Sequence, residues 1–144
     1  MDFEIIWTKA MCDYFIYGSR LTFFESGEVR FENRHASPGT VLIEWSSEAS
    51  YGRNRTALQL PLLHRGHTYS LEGEAEVEPQ DSVALKFNSF DRTETLVSTQ
   101  IFPLQGGEVF YPEEAYSYSI ELISTGVEVL NFKKIQLSSG GGDG

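Results

Sequence analysis

The chain has 144 residues, and 21 acidic against 11 basic residues leave a formal charge of −10 with histidine neutral. DNA, RNA and anionic lipid would repel such a chain unless its few basic residues cluster, and the single cysteine, Cys12, excludes an intramolecular disulfide or a cysteine-rich zinc module. Hydrophobic residues at 40% and aromatics at 13% are too many for a disordered chain and enough for one buried core.

The chain starts Met1-Asp2-Phe3-Glu4-Ile5-Ile6-Trp7. Acids before the apolar stretch argue against a signal peptide, and no apolar run approaches the ~20 residues of a membrane helix. With one free thiol, a cytoplasmic location is expected, with any approach to the membrane made through partners.

Period-two patterning then dominates, the mark of strands whose side chains alternate between faces. It predicts strands over Phe3–Trp7, Tyr14–Tyr17, Leu21–Glu25, Glu28–Glu32, Thr40–Ser46 and Thr56–Leu60, with a short turn of helix near Ser47–Arg53. The clearest alternation follows. Tyr69, Leu71, Gly73, Ala75 and Val77 share one face; Ser70, Glu72, Glu74, Glu76 and Glu78 share the other, and Pro79 ends the run. Further strands are predicted over Val83–Phe90, Glu94–Phe102, Glu108–Tyr111, Ala115–Ile123 and Val127–Leu137, the last bent or split at Lys133-Lys134. Turn residues such as Ser37-Pro38-Gly39, Arg65-Gly66 and Gly106-Gly107 separate them. No segment has the spacing of a long amphipathic helix. The pattern predicts one all-β domain over residues 1–137, a mostly antiparallel sandwich or barrel, followed by a glycine-rich tail over 138–144. Leu71, Ala75, Val77, Val83, Leu85, Phe87, Ile120 and Leu122 should point inward, and Tyr116 and Tyr118, alternating with serines, read as core.

Several groups are candidates for chemistry. His64 and His67 stand three apart, but Gly66 between them marks a turn; a metal site would need His35 or a carboxylate as a third ligand, and a polar hairpin loop explains them as well. Cys12 could be a nucleophile only with a base at hand, which the neighbouring sequence does not signal, and a small hydrophobe or surface thiol is the favoured reading. The glutamates at 72, 74, 76 and 78 could supply the paired carboxylates of a jelly-roll glycan-processing enzyme. Equally, they keep one face of a sheet wet and unaggregated, and no aromatic is interleaved to hold a sugar ring. Nucleophile-elbow, phosphate-loop and dinucleotide glycine patterns are absent from the sequence.

Aromatic and basic residues suggest binding instead. Trp45 ends an apolar stretch, and Tyr51-Gly52-Arg53-Asn54-Arg55 follows. Trp45 and Tyr51 could form a sugar-stacking platform, with Arg53, Asn54 and Arg55 as hydrogen-bond partners; alternatively Trp45 is buried and the arginines pair with surplus acids. Arg53, Arg55, Arg65 and Lys133-Lys134 stand out on an acidic chain and could dock an acidic partner, or simply be solvated. Tyr111 and Glu113, flanking a proline turn, are candidate protein contacts; the same segment could be a turn over the core.

Tyr17-Gly18-Ser19, Val29-Arg30-Phe31-Glu32-Asn33, Ser37-Pro38-Gly39-Thr40, Arg55 through Leu63, Arg65-Gly66-His67-Thr68-Tyr69 and Tyr111-Pro112-Glu113-Glu114-Ala115-Tyr116-Ser117-Tyr118 occur in that order. Together they resemble the family of the smallest of three accessory secretory proteins of the accessory Sec system, which exports serine-rich-repeat glycoprotein adhesins. The resemblance runs from about Ile5 to Leu137. It implies a jelly-roll sandwich like a carbohydrate-binding module, with no catalytic residues and no cofactor. The implied partners are the two larger accessory proteins, the accessory Sec motor ATPase and an adhesin bearing N-acetylglucosamine. Self-association stays open.

Overall fold

The computed structural model describes residues 2–5, 20–25, 28–32, 39, 41–46 and 63–139. Among these residues the regular structure is all strand: β1 (Asp2–Ile5), β2 (Arg20–Phe23), β3 (Val29–Glu32), β4 (Val41–Ser46), β5 (His67–Glu78), β6 (Val83–Phe90), β7 (Leu96–Pro103), β8 (Gly107–Tyr111), β9 (Ser117–Ser124) and β10 (Val129–Ser139). The expected strands at Tyr14–Tyr17 and Thr56–Leu60 and the turn of helix at Ser47–Arg53 lie outside the described residues.

Alternation decides how these strands stack. Tyr69 and Leu71 on β5 are buried while Glu72, Glu74, Glu76 and Glu78 are exposed, so β5 offers one apolar face. A sheet with one apolar face must cover it with a second layer. Two antiparallel sheets do so here. The first has the order β2-β3-β10-β5-β8, with β1 also on β10; the second has the order β4-β9-β6-β7. The structure thus carries the expected antiparallel sandwich. All eight residues expected to point inward do so: Leu71, Val83, Leu85, Phe87, Ile120 and Leu122 are buried, and Ala75 and Val77 pack against the core partly covered.

The long β10 organises the first sheet. Its first half pairs with β3 and its second with β1, while β5 runs along the whole other side. A register shift between Phe132 and Lys134 marks the break expected at the lysine pair. The extra residue of such a bulge re-aims neighbouring side chains. Here Phe132 is buried, and Lys133 and Lys134 both reach Glu74, at 3.2 and 4.0 Å. β10 runs on to Ser139, two residues past the expected domain edge, because Ser138 pairs with both Asp2 and Ser70.

Gly73 occupies an inward position where a side chain has no room. Its N–H donates to the Leu104 carbonyl at 3.0 Å, and a Cβ there would run into that same oxygen. The core itself is aromatic. Trp45 stacks on Phe132, linking the sheets with ring centroids 5.7 Å apart. Phe87, Tyr118 and Tyr111 form a second cluster with centroids 5.1–6.4 Å apart. Burial pushes the Tyr118 hydroxyl well above the ordinary tyrosine range, the nearby Tyr111 and Tyr69 adding to it.

Candidate functional site

The glutamate ladder lies on the outer face of the first sheet. Glu72 stands opposite Gln136, Glu74 opposite Lys134 and Glu76 opposite Asn131. Lys134 also bonds Glu4 across the sheet at 2.5 Å, a hydrogen bond that raises the lysine above its usual range. The ladder is therefore half of a cross-strand charge pattern with β10 and β1, which fixes register on a wet face. That arrangement matches the wet-face reading of these glutamates.

The outer face of the second sheet carries a different arrangement. Asn88 on β6 stands between Thr99 on β7 and Ser119 on β9. Its amide nitrogen donates to Ser119 Oγ at 3.2 Å and to Glu121 Oε1 at 2.9 Å, and its oxygen accepts from Thr99 Oγ1 at 3.0 Å. Lys86 Nζ lies 3.9 Å from Glu121 Oε1, and Glu44 on β4 is the register partner of Glu121. Asn88 and Ser119 are only 6% and 3% exposed, so the centre of this network is closed to a ligand. Its rim, with Lys86, Thr99 and Ile101, is accessible. The network orients a carboxylate and clamps three strands. Sequence reading missed it, since the polar residues at 88, 119 and 121 become neighbours only through the β6–β9 register.

The expected binding residues are dispersed. Trp45 is a correction: its side chain is 0% exposed and stacked on Phe132, so no sugar can lie on it. The physical reason is register, because Trp45 pairs with inward-facing Ile120. Tyr51, Arg53, Asn54 and Arg55 lie outside the described residues. Tyr111 is a second correction. At 4% exposure it faces inward on β8 and meets Phe87 and Tyr118 edge-on, which removes it as a surface contact; Glu113 is exposed. Tyr116 reverses the other way, expected in the core and found 51% exposed. It precedes β9, and its N–H donates to the Phe90 carbonyl at the end of β6. His64 and His67 are exposed with rings 5.6 Å apart, and no cluster of three metal-binding side chains occurs among the described residues. No helix among the described residues is long and apolar enough to cross a membrane.

Comparison with known proteins gives this fold a context. At low identity the chain resembles two carbohydrate-binding structures in fold alone. One is a Clostridium thermocellum xylanase with CBM22 and GH10 modules, at TM-score 0.54 and 14% identity over 98% of this chain and 29% of that one. The other is a CBM4 structure, at TM-score 0.51 and 19% identity over 96% and 86%. Closer matches are of another kind. An accessory Sec system protein from Streptococcus gordonii is 39% identical over 123 residues, 85% of this chain and 77% of that protein. The structure of accessory secretory proteins 1, 2 and 3 from Streptococcus pneumoniae matches at TM-score 0.88 with 29% identity, covering 94% of both chains. The glycosylation-associated protein complex of Streptococcus agalactiae matches at TM-score 0.90 with 30% identity; this chain covers 98% of itself but less than half, 45%, of that chain. The model of the family Accessory Sec secretory system ASP3 matches residues 14–139, nearly the whole described sandwich, and the chain belongs to that family.

Proposed function

We propose that this chain is a non-catalytic subunit of an accessory Sec export complex, which joins two larger accessory secretory proteins and helps deliver a serine-rich-repeat glycoprotein adhesin to the translocase motor. The observation that carries the reading is the family match over 14–139, together with the close fit to a chain of a three-protein accessory secretory structure. A sandwich with a solid aromatic core and polar outer faces suits an adaptor. The ladder carboxylates support a non-catalytic role, since Glu74 is engaged by Lys133 and Lys134 rather than held over a cleft. Sugar recognition is the finer part of the proposal. With Trp45 buried, it rests on Tyr51, Arg53, Asn54 and Arg55, where one aromatic ring and a few donors would give only weak affinity.

The deciding experiment is co-expression of this chain with the two larger accessory proteins, followed by mass measurement of the purified assembly. A stable three-component particle is expected. A chain that never co-purifies with them refutes the adaptor reading. For the sugar, titration of the labelled chain with N-acetylglucosamine should shift resonances near Tyr51–Arg55 and not in Tyr51→Ala. Shifts on another face, or none at high millimolar sugar, remove that part alone.

A further inference from the structure

Among the basic side chains the structure describes, Arg30, Lys86, Lys133 and Lys134 each have an acidic partner. Arg65 and Arg92 form no ion pair with any described residue. Both are exposed, and both guanidinium groups lie over one ring, that of Tyr116, at 5.8 and 5.5 Å from its centroid. They come from different loops, one before β5 and one in the β6–β7 hairpin, so their convergence is a product of the fold.

The surroundings hold this cluster ready. Asp91, adjacent to Arg92, has its Oδ1 taken by the Thr93 hydroxyl and by the Thr93 and Thr95 N–H groups, at 2.7–3.0 Å. Those bonds, the Thr93 side chain first, hold the Asp91 carboxyl below its usual range, and they turn that oxygen into its own loop, where it makes no ion pair with Arg92. Ala115 is fully buried and its N–H donates to Pro112, so the turn that projects Tyr116 is anchored from below. Glu113 lies over Gly66, yet makes no ion pair with either arginine.

The cluster adjoins a sheet edge that has no further strand among the described residues. β7 ends the second sheet, and its sequence Leu-Val-Ser-Thr-Gln-Ile-Phe-Pro has no charged residue. Leu96 and Ile101 on it are 54% and 66% exposed. Proteins ordinarily blunt such edges with charge, because unpaired backbone groups there invite another strand. On a chain with 22% charged residues, eight uncharged positions at an edge are a departure. Leu96 pairs with Phe90, whose carbonyl accepts from Tyr116, so the edge begins where the arginine pair stands.

We propose that the β7 edge and the Arg65–Tyr116–Arg92 cluster form one docking surface for an extended, carboxylate-bearing segment of one of the two larger accessory proteins. The segment adds a strand to β7, packs apolar side chains on Leu96 and Ile101, and places an acidic residue between the two guanidinium groups. Strand addition supplies backbone hydrogen bonds and the charged end fixes direction and register. Tyrosine and arginine are also the residues that carry binding energy at interfaces most often. A second copy of this chain fits less well. Antiparallel pairing of β7 with itself would bring the arginine end to Pro103, and β7 has no carboxylate to offer. The inference rests on the adaptor reading above.

The test compares hydrogen exchange of the β7 amides in the free full-length chain and in the assembled three-protein complex. It also measures assembly by the double variant Arg65→Glu/Arg92→Glu and by Ile101→Lys. We expect slowed exchange over Leu96–Phe102 on assembly, at least tenfold weaker binding for either variant, unchanged thermal midpoints, and near wild-type binding by Arg92→Lys. Wild-type assembly with unchanged β7 exchange, or folded variants binding within twofold of wild type, would overturn the docking surface and leave the adaptor reading intact. Failure of the wild type to assemble would refute the adaptor reading itself. Concentration-dependent protection of β7 in the free chain would overturn the proposed occupant in favour of a second copy.

Discussion

Replacing Trp45 by alanine separates a core residue from a binding platform. The side chain is fully covered and stacked on Phe132 at 5.7 Å with a 28° interplanar angle. Burying roughly 200 Å² of aromatic surface at about 25 cal/mol per Å² contributes up to about 5 kcal/mol. That figure is an upper bound because the unfolded chain already hides some of this area. Measured truncations of buried aromatics cost about 3–5 kcal/mol, cavity included. For a chain of this length each kcal/mol moves the melting midpoint by roughly 4 °C, so Trp45→Ala should lower it by roughly 12–20 °C. Trp45→Phe keeps a ring against Phe132 and should lose less than half as much. The assay is urea unfolding followed by far-UV circular dichroism, with the slope checked for constancy so that only stability is compared. A Trp45→Ala chain within about 0.5 kcal/mol of wild type, the range of ordinary surface changes, would refute the placement of Trp45 between the sheets.

Other outcomes follow from single contacts. Gly73→Ala should destabilise by about 1–3 kcal/mol, read by the same unfolding assay, because its Cβ would push the Leu104 backbone off β5. Asn88→Ala should cost about 1–3 kcal/mol, since it removes the amide donor shared by Ser119 and the partly covered Glu121, leaving the carboxylate only the looser Lys86 contact at 3.9 Å. The Gln100 side chain donates to the Phe110 carbonyl at 2.8 Å and accepts from the Phe110 N–H at 3.1 Å, standing in for a neighbouring strand on the β8 edge. Gln100→Ala should therefore speed hydrogen exchange at Phe110 and leave the core amides unchanged. The Lys134 ammonium is raised by its bond to Glu4, so its contribution is complete below about pH 10.5 and fades as pH climbs through the higher folded value. Alkaline unfolding should show this loss, and Glu4→Gln should shrink it to the smaller part that Glu74 contributes.

Much of the fold was legible in the chain because a strand's period is local. β6 falls at the expected Val83–Phe90, and the glutamates at 72, 74, 76 and 78 face water as their alternation requires. The lysine pair marked the break in β10 because two adjacent charges cannot both follow the pleat beside buried Phe132 and Ile135. The aromatics were another matter. Trp45, Tyr111 and Tyr116 each sit next to turn-forming or polar residues, and local context cannot tell an inward ring from an outward one. Tyr111 went inside because its register places it with Tyr118 and Phe87, whereas Tyr116 came out because it precedes β9 at the end of the sandwich.

Composition and alternation by themselves determined an acidic, all-β, single-cysteine chain whose sheets bury one face, because charge and period-two order are written residue by residue. The pairing of β6 with β9, which assembles the Asn88 network, depends on long-range register, and the sequence carries no mark of it. The meeting of Arg65 and Arg92 over Tyr116 likewise joins three loops far apart in the chain. Strand pairing within the second sheet assembles the first arrangement, and the meeting of loops from the two sheets assembles the second, so both were decided by contacts between residues distant in the chain.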